Sequence, residues 1–134
     1  MGSERSQALL LAGYWAFVPI LATVMLLVLA SRAASGRLAR NQWVGIRTPS
    51  TMRSDRAWVA GHRAALRMAP LFVLVTVAIC VALVAAAVYA ATTKAVVIIG
   101  FASLAVVLVL IVCSAIVASK AAKAAEEHGE GRPA

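Results

Sequence analysis

Three long stretches of this chain carry no charged residue: residues 8–30, 69–91 and 95–118. Each exceeds the roughly 20 apolar residues that a helix needs to cross the hydrocarbon of a bilayer. The chain as a whole is 63% hydrophobic and only 13% charged. Soluble domains are nearer half apolar and a quarter charged, so the solvent for most of this surface must be lipid. The third run is rich in β-branched residues (Val96, Val97, Ile98, Ile99). A lone strand would leave its backbone unsatisfied in lipid, and the alternating polarity of a closed barrel is absent. The expected fold is therefore an all-α integral membrane protein. It has three transmembrane helices and a short cytoplasmic interfacial helix in the first loop. We divide the single membrane domain, residues 1–134, into spans at 8–30, 69–91 and 95–118, an arginine-rich loop at 31–68 and a tail at 119–134. The first run is too long for a signal-peptide core and arginines follow it at once, so it reads as an uncleaved span.

Charge predicts the orientation. The first loop holds Arg32, Arg37, Arg40, Arg47, Arg53, Arg56, Arg63 and Arg67 against one acid, Asp55. The link between the second and third spans has only Lys94, and the tail opens with Lys120 and Lys123. Short loops rich in Lys and Arg stay in the cytoplasm. The expectation is an N-terminus outside, with the arginine loop and C-terminus inside. Tyr14, Trp15, Tyr89, Trp43 and Trp58 fit interfacial anchors.

No Asp, Glu, Lys, Arg or His falls inside a span. Proton relays and ion paths need such groups, which argues against a proton-coupled exporter. Thr23, Thr76, Ser103 and Ser114 can bond their own helix backbones. Cys80 and Cys113 read as free thiols acting as small apolar groups. His62 and His128 stand alone, without metal-ligand spacing, and we expect no metal and no cofactor. A Ser-His-Asp set could be drawn only from Ser54, Asp55 and His62, without the strand-turn-helix context of a nucleophile elbow, so no catalytic residue is assigned and no enzyme is expected. Ala78, Ala82, Ala86 and Ala90 recur every fourth residue, and Gly100, Ala102 and Ala105 lie on the third span. Small residues at such spacing let helices approach, either within the chain or in a dimer. Pro19 is a candidate kink.

Residues 40–49 read Arg-Asn-Gln-Trp-Val-Gly-Ile-Arg-Thr-Pro. They are too rich in turn formers for a helix. Ser35-Gly36 predicts the end of the first helix. Gly45 permits a positive φ or a close backbone approach. Pro49 drives Thr48 to an extended backbone. Arg47 then projects from a constrained turn, with a fork of donors suited to carbonyls or an anion. Ser54 is a good N-cap, followed by Asp55 in the first turn of an amphipathic helix running towards Met68. Trp58, His62, Ala65 and Ala69 share one face, expected on the membrane side, with His62 neutral and hydrogen-bonded. Arg56, Arg63 and Arg67 share another face, towards the headgroups of anionic lipids.

Arg40-Asn41, the tract from Val44 through Gly45, Ile46, Arg47 and Thr48 to Pro49, then Thr51-Met52, Ser54, Trp58 and His62 resemble the signature of the SdpI family. These are small bacterial membrane proteins named for immunity to a secreted toxin. The resemblance covers residues 40–117. It implies toxin immunity or membrane signalling, with Asn41, Gly45, Arg47, Thr48, Pro49, Trp58 and His62 as the motif that binds or builds the site. On this reading the partner is a toxin peptide or a regulator. A second reading is an accessory subunit of a larger membrane protein complex, with the loop as docking surface. A holin-like pore former has no use for such a turn. Nucleic-acid binding is not expected, because the arginines lie against the bilayer and stacking aromatics are few.

Overall fold

A computed structural model gives the fold; it describes residues 2–90 and 92–130. The elements are α1 (Gly2–Ala34), α2 (Asp55–Leu66), α3 (Ala69–Ala85), a π-helical turn (Ala86–Ala90) and α4 (Thr93–Glu130). Three helices are long and apolar enough to cross a membrane: Ser3–Ala34, Ala69–Tyr89 and Thr93–His128. The exposed side chains along them include Leu10 (76%), Leu74 (66%) and Ile98 (68%). Surfaces of this kind are stable only where lipid replaces water.

The helices outrun the expected spans. α1 ends at Ala34, where Gly36 takes φ 73°. Its N–H bonds Ala33 O and the Leu38 N–H bonds Arg32 O, so two terminal carbonyls are satisfied at the predicted stop. α1 runs unbroken through Pro19. Lys94 lies in the first turn of α4 rather than in a free link. The expected tail from residue 119 is largely helical, as α4 continues to Glu130. Residue 91, the predicted end of the second span, and residues 131–134 lie outside the described residues.

The chain forms two compact units. One comprises Met1–Thr23 with Leu71–Leu110. Its core is built from Ala8, Ala12, Leu83, Ala86, Ala87 and Val96. The π-helical turn places the consecutive Ala86 and Ala87 in this core together. Trp15 lies flat on Gly100: a Cβ there would fall 2.3 Å from the indole Cδ2. Phe101 flanks the indole with ring centroids 4.9 Å apart. Trp15, expected as an interfacial anchor, thus also packs against α4. The alanine stripe is only partly used within the chain. Ala86 is buried, but Ala78 and Ala82 are exposed, as are Ala102 and Ala105. Two hydroxyls expected to bond only locally join different helices instead. Thr23 Oγ1 lies 2.7 Å from Thr76 Oγ1, and Thr76 Oγ1 donates to Pro19 O at 3.3 Å. Ser103 and Ser114 do bond their own helices, at Gly100 O and Ile111 O.

The second unit comprises Val24–Pro70 with Ile111–Ala134. It contains the end of α1, the loop, α2 and the C-terminal part of α4. α2 starts at the predicted cap: Ser54 is extended (φ −147°, ψ 166°) and its Oγ accepts the Ala57 N–H at 3.0 Å. Gly61 brings α2 against α4, since a Cβ on it would meet Ala118 O at 3.1 Å. Ala118 and Ala122 are fully buried. Cys80 and Cys113 are free and half-buried.

Candidate functional site: a self-locked loop on helix α2

The apolar face of α2 is the bed on which the motif is built. Trp58 and His62, one turn apart, are 1% and 0% exposed, with ring centroids 4.1 Å apart. This corrects the expectation that these rings face the membrane: they are covered by the chain's own loop. The indole N–H of Trp58 donates to Leu38 O at 2.9 Å.

His62 is held at both nitrogens. Nδ1 lies 2.8 Å from Trp58 O, and Nε2 accepts the Ile46 N–H at 2.9 Å. A backbone N–H can only donate, so Nε2 is bare and the proton sits on Nδ1, donated to Trp58 O. The ring is therefore neutral, a single tautomer bonded to the turn. Burial pushes its pKa below the ordinary 6.5, and the hydrogen bond to Trp58 O pulls weakly the other way.

Gly45 meets both reasons for a glycine. Its φ is 101°, and an added Cβ would lie 2.7 Å from Trp58 Cη2 and 2.8 Å from His62 Nε2. Asn41 folds the approach to it. Its Oδ1 accepts the N–H groups of Trp43 and Val44 at 2.9 Å each, and its Nδ2 donates to Ala39 O. After Gly45 the chain closes on Thr51, which is fully buried. Thr51 Oγ1 donates to Ile46 O at 2.7 Å and accepts the Thr48 N–H at 2.9 Å. The Thr48 hydroxyl accepts the Thr51 N–H at 3.2 Å. Pro49 follows in a single turn closed by Met52 N–H to Thr48 O at 3.1 Å. Thr51 stood in the quoted signature without a role, and Gly61 was not singled out by the sequence reading. Thr51 Cγ2 sits where a Gly61 Cβ would be, at 2.7 Å, and a lone glycine inside an amphipathic helix was the available signal.

The arginines divide unexpectedly. Arg40, not Arg47, is the multivalent one. Its Nε bonds Asp55 Oδ1 at 3.2 Å, and Nη1 donates to Met52 O and to Arg53 O. This ties the start of the loop to the start of α2. The signal was the single acid of the loop, Asp55. Arg47 donates once, to Gln42 O, and its side chain is exposed. Arg56, Arg63 and Arg67 are all exposed, and Arg63 Nη2 donates to Ala34 O in the last turn of α1 at 3.3 Å. α4 contributes Glu126, whose Oε1 accepts the Ser54 hydroxyl.

The structure thus brings Asn41, Gly45, Thr48, Trp58 and His62 into one network, with Pro49 in its closing turn and Arg47 at its rim. Chemically the network is closed. Ser54 is bonded to Glu126 and Ala57, and His62 to Trp58 and Ile46, so the serine and the histidine do not meet each other. Among the described residues no three His, Cys, Asp or Glu side chains converge to hold a metal. The outer surface of the loop is different in kind: Gln42, Trp43 (86% exposed) and Arg47 point outward from a fixed backbone.

Neither the curated proteins nor the solved structures contain a match to this chain. The profile of the SdpI/YfhL protein family matches residues 37–117, which begin just before the arginine that ties the loop and end in the helix packed behind α2. With more than half of its length matched, and with the matched residues containing the whole locked loop, the chain belongs to the SdpI/YfhL protein family.

Proposed function

We propose that this is a non-enzymatic, SdpI-like protein of a bacterial cell membrane that serves toxin immunity or membrane signalling, with the rim of its locked loop as the surface that meets a regulator. The observation that carries this is the division of labour within the motif. Its buried polar groups bond one another, and Gln42, Trp43 and Arg47 are left displayed. Trp and Arg dominate binding hot spots, and a pre-ordered backbone lowers the entropy lost on binding. The partner at the rim is a regulator on the cytoplasmic side, and a toxin peptide would be held at the outer face; the exposed Arg56, Arg63 and Arg67 attract anionic headgroups. Family membership supports the membrane setting and the SdpI-like character.

The test is a survival assay against a secreted toxin peptide, or a reporter of the signal, in cells carrying variants of the loop. Trp43→Ala and Arg47→Ala should each lower the response about tenfold or more at unchanged protein level. Arg37→Ala should leave it intact. Equal behaviour of all three would defeat the proposal. A stable membrane protein co-purifying through the same rim would favour the accessory-subunit reading.

A further inference from the structure

We infer that the groove between the motif turn and α4 binds one anionic phospholipid, its phosphate on Lys120 and Lys123 and an acyl chain along Val112 and Ile116. This rests on the membrane setting above and deepens it, by separating one discrete site from the general attraction of Arg56, Arg63 and Arg67. The groove has a volume of about 390 Å³, with Thr48 on one wall and Val112, Ala115, Ile116, Lys120 and Lys123 of α4 on the other. Positions 112, 116, 120 and 123 follow at intervals of four, four and three, so they form one stripe along the helix. From Val112 to Lys120 the stripe runs about 12 Å at the helical rise. Over that distance it changes from apolar to cationic.

Charge and polarity select the occupant. No acidic side chain lines the groove, and among the described residues neither lysine has a hydrogen bond or ion pair. Of the two acids that follow on α4, Glu126 is engaged by Ser54 and Glu127, one turn beyond Lys123, makes no ion pair with it. Val112 and Ile116 are each 49% exposed, so the apolar half is uncovered as well. A small anion would leave that half bare. A peptide would set backbone N–H and C=O groups against a mostly apolar wall. A lipid with a net negative headgroup satisfies both halves, as basic pockets at the ends of spanning helices do. The wall formed by Thr48 is rigid, because its N–H and hydroxyl are both tied to Thr51. A bound lipid therefore braces the motif turn from behind.

The experiment is thermal unfolding of the full chain in neutral detergent with added phosphatidylglycerol, phosphatidylcholine or inorganic phosphate. Phosphatidylglycerol should raise Tm saturably by about 5 °C or more, and the other two should not. The double variant Lys120→Gln/Lys123→Gln should lose the shift. Ile116→Trp, which fills the groove and keeps both lysines, should lose it too. Arg56→Gln/Arg67→Gln should keep it. An equal shift with phosphatidylcholine or phosphate overturns the site. So does an equal loss in the arginine variant, which would mean bulk electrostatics alone. Loss of the site would leave the role of Trp43 and Arg47 untouched, since none of these variants alters the rim.

Discussion

At the scale of single residues, Gly45 and His62 have the clearest consequences. Any side chain at Gly45 must adopt φ 101° and also enter the space of Trp58 and His62. Gly36 has φ 73° but nothing within 4 Å of its would-be Cβ. Gly45→Ala should therefore cost about 2–4 kcal/mol, strain and overpacking together, and Gly36→Ala only about 1. Denaturation in detergent should rank them in that order. His62 gives a pH dependence of definite sign. Its folded pKa is depressed, so the unfolded chain binds the proton more readily. The stability it contributes is complete above 6.5 and declines as pH falls from there towards the folded pKa. Protonation would also set a donor at Nε2 against the Ile46 N–H. Tm should drop between pH 7 and pH 5.5, and this drop should shrink in His62→Gln. A flat wild-type profile would contradict the buried neutral ring. Arg40→Lys keeps the charge but loses the fork, and should cost about 1 kcal/mol, while Arg47→Lys should cost less.

At the scale of elements, α2 and α4 meet through a missing side chain. Gly→Ala in a helix usually stabilises, by about 0.5–1 kcal/mol. At Gly61 the sign should reverse, because the new methyl would press on Thr51 Cγ2 and on the Ala118 backbone. Gly61→Ala should lower Tm, and a rise would show that the two helices are not in this contact. The elements were only partly legible beforehand. Long uncharged runs announce spanning helices, and Ser35-Gly36 and Ser54-Asp55 announce a stop and a start, because these signals are local. The register of burial is not local. Trp58 and His62 were placed on one face correctly, but which neighbour covers that face depends on how residues 38–54 return over it. For the same reason Arg40 was invisible as a tie. Its partners, Met52, Arg53 and Asp55, become neighbours only after the loop has closed.

For the whole molecule, the arginine excess of the first loop yields a topology to be measured. In a background without Cys80 and Cys113, single cysteines at Gln42 or Arg37 should resist membrane-impermeant label in intact cells and react after lysis. A cysteine at Ser3 should react in both. Labelling at Gln42 from outside would invert the proposed orientation. The family and the helical class were legible in the sequence, because both rest on composition and on a contiguous motif. The partition of the motif into a buried lock and an exposed rim was not, since both draw on the same residue types within a few positions.

The lock also constrains how such a sequence can drift. Removing one partner of a buried hydrogen bond strands the other at about 1–3 kcal/mol, whereas replacing both together can be nearly neutral. Thr51 answers Ile46 and Thr48, and His62 answers Ile46 and Trp58. These partners are backbone N–H and C=O groups that no second substitution can remove, so neutral changes at Thr51 and His62 are few. Gln42 and Trp43, whose side chains lie outside the lock, can change one at a time without cost to the fold. Across descendants of a common ancestor the buried half of the motif should stand still while its rim diversifies, and new partners would be acquired there without refolding the loop.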